Sequence, residues 1–130
     1  MKLLSIIIPV YNEVDNITPL CEALARYCKA DYEVIFIDDG STDGTLAAIE
    51  DISRKNANIK CISLSKNFGH QNALMAGMEY AAGEYIITMD GDLQHPPALI
   101  PEMLDKLNEG FDLVNTRRKT TERIGFIKKS

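Results

Sequence analysis

The sequence is poor in the features that would assign it to several large protein classes. Within its 130 residues no apolar run approaches the ~20 needed to cross a bilayer. The apolar opening, Leu3 to Val10, is short, has no small-residue cleavage site and runs into Tyr-Asn-Glu, so it reads as a first buried strand and not a leader peptide. Cysteine is scarce: Cys21, Cys28 and Cys61 are odd in number and form no CxxC pair. That spacing suggests neither a zinc site nor a disulfide framework and leaves three buried thiols in a reducing compartment. No GxGxxG follows the first strand, which disfavours a simple dinucleotide-binding domain. Excess positive charge is also missing, because the formal net charge is -5. From Arg117 to Ser130 there are six Lys/Arg and one acid, so an acidic body precedes a basic end. The acidic body argues against nucleic acid as a partner, whereas the basic end suits phosphate groups or an anionic membrane surface.

What is present is a repeating pattern of apolar runs and amphipathic segments. Leu3–Val10, Tyr32–Ile37, Ile59–Leu64, Tyr85–Met89 and Phe111–Thr116 read as strands, the first as one buried on both faces. Between them, Ile17, Leu20, Leu24 and Tyr27 recur at helical spacing, as do Leu46, Ile49 and Ile52. Asn16 or Thr18 is the expected cap of the first helix, with Pro19 in its first turn. A helix of small and apolar residues is expected over 71–82 with Gly83 as its C-cap, and another from about Pro97 to Asn108 ending at Gly110. Strand–helix alternation at this spacing predicts an α/β fold, with a mostly parallel sheet between two helical layers.

Function is indicated by where the polar residues fall. Tyr11 and Glu13, Asp38 and Asp39, Lys66, Asp90 and Asp92, and Arg117 each follow directly on an apolar strand. In a parallel sheet those ends share one edge, the edge at which open α/β folds bind ligands. Asp90 and Asp92 are two residues apart, so on extended chain both carboxylates project from one side. Gly91 between them lets a ligand approach the backbone. Two crowded carboxylates call for a cation between them, and Mg2+ or Mn2+ prefers such oxygens and shares them with phosphates. A solvated Asp-Gly-Asp turn is the plain alternative. Asp38 or Asp39 can accept hydrogen bonds from a nucleobase; extended chain points the two opposite ways, and Asp39 is the one expected to face the base. The alternative role for the pair is capping of the Gly40–Gly44 loop. His70 is expected to pack or hydrogen-bond near the nucleotide, and His95 to be a loop or helix-entry residue and not a ligand.

Pro9-Val-Tyr-Asn-Glu13, Ile37-Asp-Asp-Gly-Ser-Thr-Asp43, Ser65-Lys-Asn-Phe-Gly69 and Asp90-Gly-Asp-Leu-Gln-His-Pro-Pro97 together resemble family 2 glycosyltransferases. The likeness is greatest to the polyprenyl- and dolichyl-phosphate sugar synthases. It implies a three-layer α/β/α, Rossmann-like GT-A nucleotide-sugar-binding fold and an inverting transfer from a UDP- or GDP-sugar that depends on Mg2+ or Mn2+. Carried over by motif, Pro9, Tyr11, Glu13, Ile37 and Asp39 would line the nucleoside, with Lys66 a basic position near the donor. Asp90 and Gly91 would touch the donor; Asp90, Asp92 and Gln94 would hold the metal; Asp92 and Arg117 would be catalytic. The acceptor implied is a polyprenyl phosphate, with a glycan as the alternative, and the place of action is the cytoplasmic face of the membrane. Family members run further, so residues 1–130 are expected to form one domain, the nucleotide-sugar-binding part of an enzyme whose acceptor-binding part lies beyond. Two other classes compete. Phe36 to Ser41 loosely resembles the acidic loop of dehalogenase-type phosphatases and response-regulator receivers, although a phosphatase nucleophile would sit where Tyr11-Asn12 stands. The other is a nucleotide-sugar-binding or interaction domain without turnover.

Overall fold

The computed structural model describes residues 3–28 and 31–91, together with the backbone of strands 113–117 and 123–128. Six strands form one sheet: β1 (Leu4–Val10), β2 (Tyr32–Asp38), β3 (Ile59–Ser63), β4 (Tyr85–Thr88), β5 (Leu113–Arg117) and β6 (Arg123–Lys128), in the order β3-β2-β1-β4-β6-β5. Neighbours from β3 to β4 are parallel, whereas β6 lies antiparallel between β4 and β5. Because β6 reverses twice, β5 runs in the same direction as β1 to β4. The carboxyl ends of these five strands therefore share one edge.

The α/β class and mostly parallel sheet agree with the sequence reading, and the expected strands fall within two residues of those observed. One element was not expected. Arg123–Lys128, within the basic end, forms β6 and pairs on both sides. The expected helix at 97–108, its Gly110 terminus and His95 lie outside the described residues.

Continuous burial of β1 and β2 follows from helices on both faces. Side chains alternate, so Ile6, Ile8, Val34 and Phe36 pack with Ile17, Leu20 and Leu24 of α1 (Val14–Tyr27) and Ile49 of α2 (Thr45–Lys55). Ile7, Ile35, Ile37 and Ile86 instead meet Ala73 and Ala81 on and just after α3 (His70–Tyr80). Each fully buried aliphatic side chain contributes about 1.5–3 kcal/mol. The small residues of α3 are there because it lies so close to the sheet. A Cβ on Gly77 would come within 2.5 Å of Ile7 Cγ2 and 2.6 Å of Ile37 Cδ1.

Helix ends differ from expectation in instructive ways. α1 begins at Val14, so Pro19 lies inside the helix and not in its first turn. Asn16 does not cap; its side-chain amide donates to Glu13 Oε2 at 2.7 Å. α3 stops at Tyr80 with Ala81 at its C-cap, and Gly83 serves a different purpose. A Cβ there would meet Ser5 Oγ at 2.6 Å and Leu3 O at 2.8 Å, so the chain can enter β4 along this path only with glycine.

That entry is pinned by a buried network at the edge remote from the strands' carboxyl ends. Ser5 Oγ donates to Glu33 Oε2 at 2.5 Å and accepts Gly83 N–H at 2.8 Å. Glu33 also accepts Ala82 N–H at 2.7 Å and Lys60 Nζ at 2.7 Å. Burial pushes the Glu33 carboxyl up, but the bonds from Lys60, Ser5 and Ala82 and the Lys60 charge outweigh it, leaving the group below its ordinary value of 4.5. A depressed value means stability that is fully present above pH 4.5 and lost as pH falls through the lower folded value. Glu33→Gln keeps one acceptor oxygen, replaces the other by an N–H donor and removes the charge, and is expected to cost about 2 kcal/mol near neutrality. Urea denaturation across pH should show that gap closing below pH 4.5; a gap independent of pH would count against the charged network.

Candidate functional site

The carboxyl edge of the sheet carries three loops that hold one another. In the first, Asn12 adopts φ 53°, a left-handed conformation asparagine tolerates. There its Oδ1 accepts Thr42 N–H at 2.8 Å and Asp43 N–H at 3.3 Å, while its own N–H donates to Ser41 Oγ at 2.9 Å. Thr45 Oγ1 accepts Glu13 N–H at 2.9 Å and donates to Asp43, whose Oδ1 also accepts Thr45 N–H at 2.9 Å. The loops after β1 and β2 are thus latched together. Neither Asn12 nor Thr45 was singled out from sequence, because bonds between residues 29 to 32 apart leave no local signature.

The third loop, after β3, is tied to β2. Asp39 Oδ1 accepts Phe68 N–H at 2.7 Å and Asp39 Oδ2 accepts Gly69 N–H at 3.1 Å. The loop crosses Gly40 so closely that a Cβ there would lie 2.6 Å from Asn67 N. Asp38 and Asp39 diverge as extended chain requires: both are buried, but only Asp39 lines the cavity at the edge, and Asp38 Oδ1 has no hydrogen-bond partner among the described residues. Capping of the Gly40–Gly44 loop, considered for this pair, falls instead to Asn12 and Asp43.

These loops and the end of β4 enclose a cavity of about 320 Å3 lined by Pro9, Val10, Tyr11, Glu13, Asp39, Asn67, His70, Asp90 and Gly91. Its volume is at the small end of ligand pockets, ~300–1,000 Å3. Of the residues predicted for the site, Pro9, Tyr11, Glu13, Asp39, Asp90 and Gly91 line it. Val10 and Asn67 lie in the quoted motifs but were not given a role. Ile37 is fully buried beneath α3, away from the cavity wall. Lys66 is exposed and stacks over the Phe68 ring at 5.2 Å. Gly91 is also fixed by packing, since a Cβ would approach Val10 Cγ1 to 2.7 Å. Arg117 is the last residue of β5 and pairs in register with Arg123, at the same sheet edge. Asp92 and Gln94 lie outside the described residues.

The described wall is acidic. Asp90, 29% exposed at its side chain, faces His70 across 3.9 Å from Oδ1 to Nε2. Among the described residues no three His, Cys, Asp or Glu side chains converge as a metal cage. The described part of the expected ligand set is therefore one carboxylate, Asp90, a hard oxygen donor of the kind Mg2+ and Mn2+ prefer. The cysteines take no part: Cys28 is buried, and burial pushes the Cys21 and Cys61 thiols up to about 11. No helix among the described residues is long and apolar enough to cross a membrane.

The family model "Glycosyl transferase family 2" matches residues 5–128. An "uncharacterized glycosyltransferase" of Synechocystis sp. is 44% identical over 128 residues, covering 96% of this chain and 40% of its own length. The undecaprenyl-phosphate 4-deoxy-4-formamido-L-arabinose transferase of Enterobacter sp. is 36% identical over 130 residues, with 97% and 40% covered. The chain thus spans about 40% of these relatives. Among solved structures, a mannosyltransferase of Pyrobaculum calidifontis in complex with GDP-Man and Mn2+ superposes with a TM-score of 0.82 at 18% identity, over 96% of this chain and 44% of that one. S. aureus TarS in complex with UDP-GlcNAc gives 0.75 at 29% identity, over 93% and 37%. The fold is that of the GT-A glycosyltransferases.

Proposed function

This chain belongs to glycosyl transferase family 2, and from that premise we propose that it forms the nucleotide-sugar-binding part of an inverting glycosyltransferase that moves a sugar from a UDP- or GDP-sugar to a polyprenyl phosphate. The observation that carries the reading is the cavity. Six residues from three separate segments, predicted for a donor site, line one cavity at the ligand-binding edge of a mostly parallel sheet.

Pro9, Tyr11, Glu13 and Asp39 take the nucleoside, with Tyr11, 44% exposed, offering a ring face. Asp39 has both carboxylate oxygens bonded to loop amides, yet each oxygen has a second lone pair for a base N–H. Asp90, with Asp92 and Gln94 of the same motif, holds Mg2+ or Mn2+ against the diphosphate. When bound, that ion offsets the charge that builds on the departing nucleoside diphosphate. Arg117, at the same edge by strand direction, stabilises that charge or holds the acceptor phosphate.

A polyprenyl phosphate is already anionic at neutral pH and attacks the anomeric carbon without a protein base, whereas a sugar hydroxyl needs one. The relative named as an undecaprenyl-phosphate transferase supports that acceptor. A lipid acceptor places the reaction at the cytoplasmic face of the membrane.

Calorimetric titration with UDP and with GDP, each with and without Mn2+, tests the donor site. Metal-dependent binding of one nucleotide is the expected result, and binding of neither would overturn it. Offering polyprenyl phosphate beside a soluble glycan then decides the acceptor, and transfer to sugar hydroxyls alone would refute the phosphate. An Asp92→Asn protein that kept its full biological effect would point to an interaction domain without turnover.

A further inference from the structure

Asp39 lines the cavity, and both oxygens of its buried carboxylate are bonded to backbone amides of the loop after β3. Phe68 N–H donates to Oδ1 at 2.7 Å and Gly69 N–H to Oδ2 at 3.1 Å, the latter shared with Asn67 Oδ1 at 3.0 Å. A carboxylate has about four lone-pair sites. Two point forward, side by side, and form the fork that bidentate donors fill; the others point outward, one to each flank. Covalent geometry fixes which pair the loop occupies. Backbone nitrogens of adjacent residues are at most about 3.7 Å apart. Donors on the two outward sites would stand about 7 Å apart, and one forward with one outward about 6 Å. Only the forward pair fits. The loop amides therefore fill the fork, and each oxygen keeps only its outward lone pair. Both sides of the fork are anchored. Asp39 N–H donates to Val10 O at 2.9 Å, while Phe68 O accepts the Asn72 side-chain amide at 2.8 Å and Gly69 O accepts Ala73 N–H at 3.1 Å.

We infer, on the donor-site reading above, that the site takes a uracil nucleotide and discriminates against guanine, so that the donor is a UDP-sugar. Uracil presents one imide N–H, and a single outward lone pair of Asp39 accepts it. Guanine presents two adjacent donors, N1–H and N2–H, which a carboxylate reads as a pair only through its fork. With the fork filled by Phe68 and Gly69, one of those donors goes without an acceptor on Asp39. An unsatisfied donor of this kind lowers affinity by about 10–100-fold. The loop that Asp39 anchors thus also sets which base Asp39 can read.

The test varies the nucleotide and leaves the protein unaltered, so that no variant has to fold. Affinities of the purified protein for UDP, N3-methyl-UDP, GDP and inosine diphosphate are measured by calorimetry at saturating Mn2+. UDP is expected to bind at least about tenfold tighter than GDP, and about 10–100-fold tighter than N3-methyl-UDP, which has lost the imide N–H. Inosine diphosphate, whose base is guanine without the 2-amino group, should bind at least as tightly as GDP, because that amino group finds no acceptor on Asp39. A smaller preference for UDP, or GDP binding tighter than inosine diphosphate, would overturn the inference and leave the donor site standing. Equal affinities for UDP and N3-methyl-UDP would overturn it too, since Asp39 would then not read the imide. Failure of all four nucleotides to bind would instead sink the donor-site reading, and the base preference with it.

Discussion

Asp90→Asn is expected to weaken Mn2+ binding in the nucleotide complex by more than about a hundredfold, the most that loss of an outer-shell partner usually costs. Sugar transfer at fixed metal concentration should fall with it. The substitution replaces one carboxylate oxygen by an amide nitrogen that cannot ligate, and it removes the charge a hard divalent ion requires. The effect should be local. Asp90 lies beyond the last β4 pair, and the neighbouring Met89 stays anchored to Ile7 and buried. Asp38→Asn is the matched control, because it removes a carboxylate at a strand end that faces away from the cavity. Mn2+ titration of the three proteins, together with initial rates at saturating donor, separates the cases. Wild-type metal affinity in Asp90→Asn would mean that the divalent ion, if used, is held without it.

The features legible in the sequence were those written into contiguous residues. Leu4–Val10 and Tyr32–Asp38 are apolar on both faces because helices cover both, and that pattern cannot be mistaken for a half-exposed strand. Acidic and aromatic residues directly after such runs identify the binding edge, because parallel strands bring their carboxyl ends together. What stayed illegible depends on residues far apart in the chain. Glu33 looks like a surface acid until Ser5, Lys60 and the Ala82 amide close around it. Gly83 looks like a helix cap until the backbone of Leu3 and Ser5 is seen against it. β6 was hidden by its shortness and setting: Ile124, Phe126 and Ile127 are broken by Gly125 and flanked by Arg123 and Lys128 in a basic stretch, and its place between β4 and β5 is set by tertiary pairing, not by propensity.

Asp39 joins both kinds of information, and its substitution should have two separable consequences. As a strand-end acid it was expected to face the nucleobase, and it does line the cavity. The structure adds that it anchors the loop after β3 through the amides of Phe68 and Gly69. Asparagine offers one acceptor oxygen for two donors and turns an N–H group toward the second. One charge-assisted bond becomes neutral, and one partly buried amide faces another donor. The expected loss of stability is about 3 kcal/mol, from bonds to a charged group worth ~1.5–3 kcal/mol each and an unsatisfied donor costing ~1–3 kcal/mol. Nucleotide affinity should fall by about 10–100-fold, the equivalent of one lost charge-assisted bond. That loss should be the same with and without Mn2+, unlike that of Asp90→Asn, because the nucleoside contact does not pass through the metal. Chemical denaturation measures the first effect, and calorimetry at a temperature where the variant remains folded measures the second. Lost stability with unchanged nucleotide affinity would restrict Asp39 to holding the loop and move base recognition to Tyr11 and Glu13.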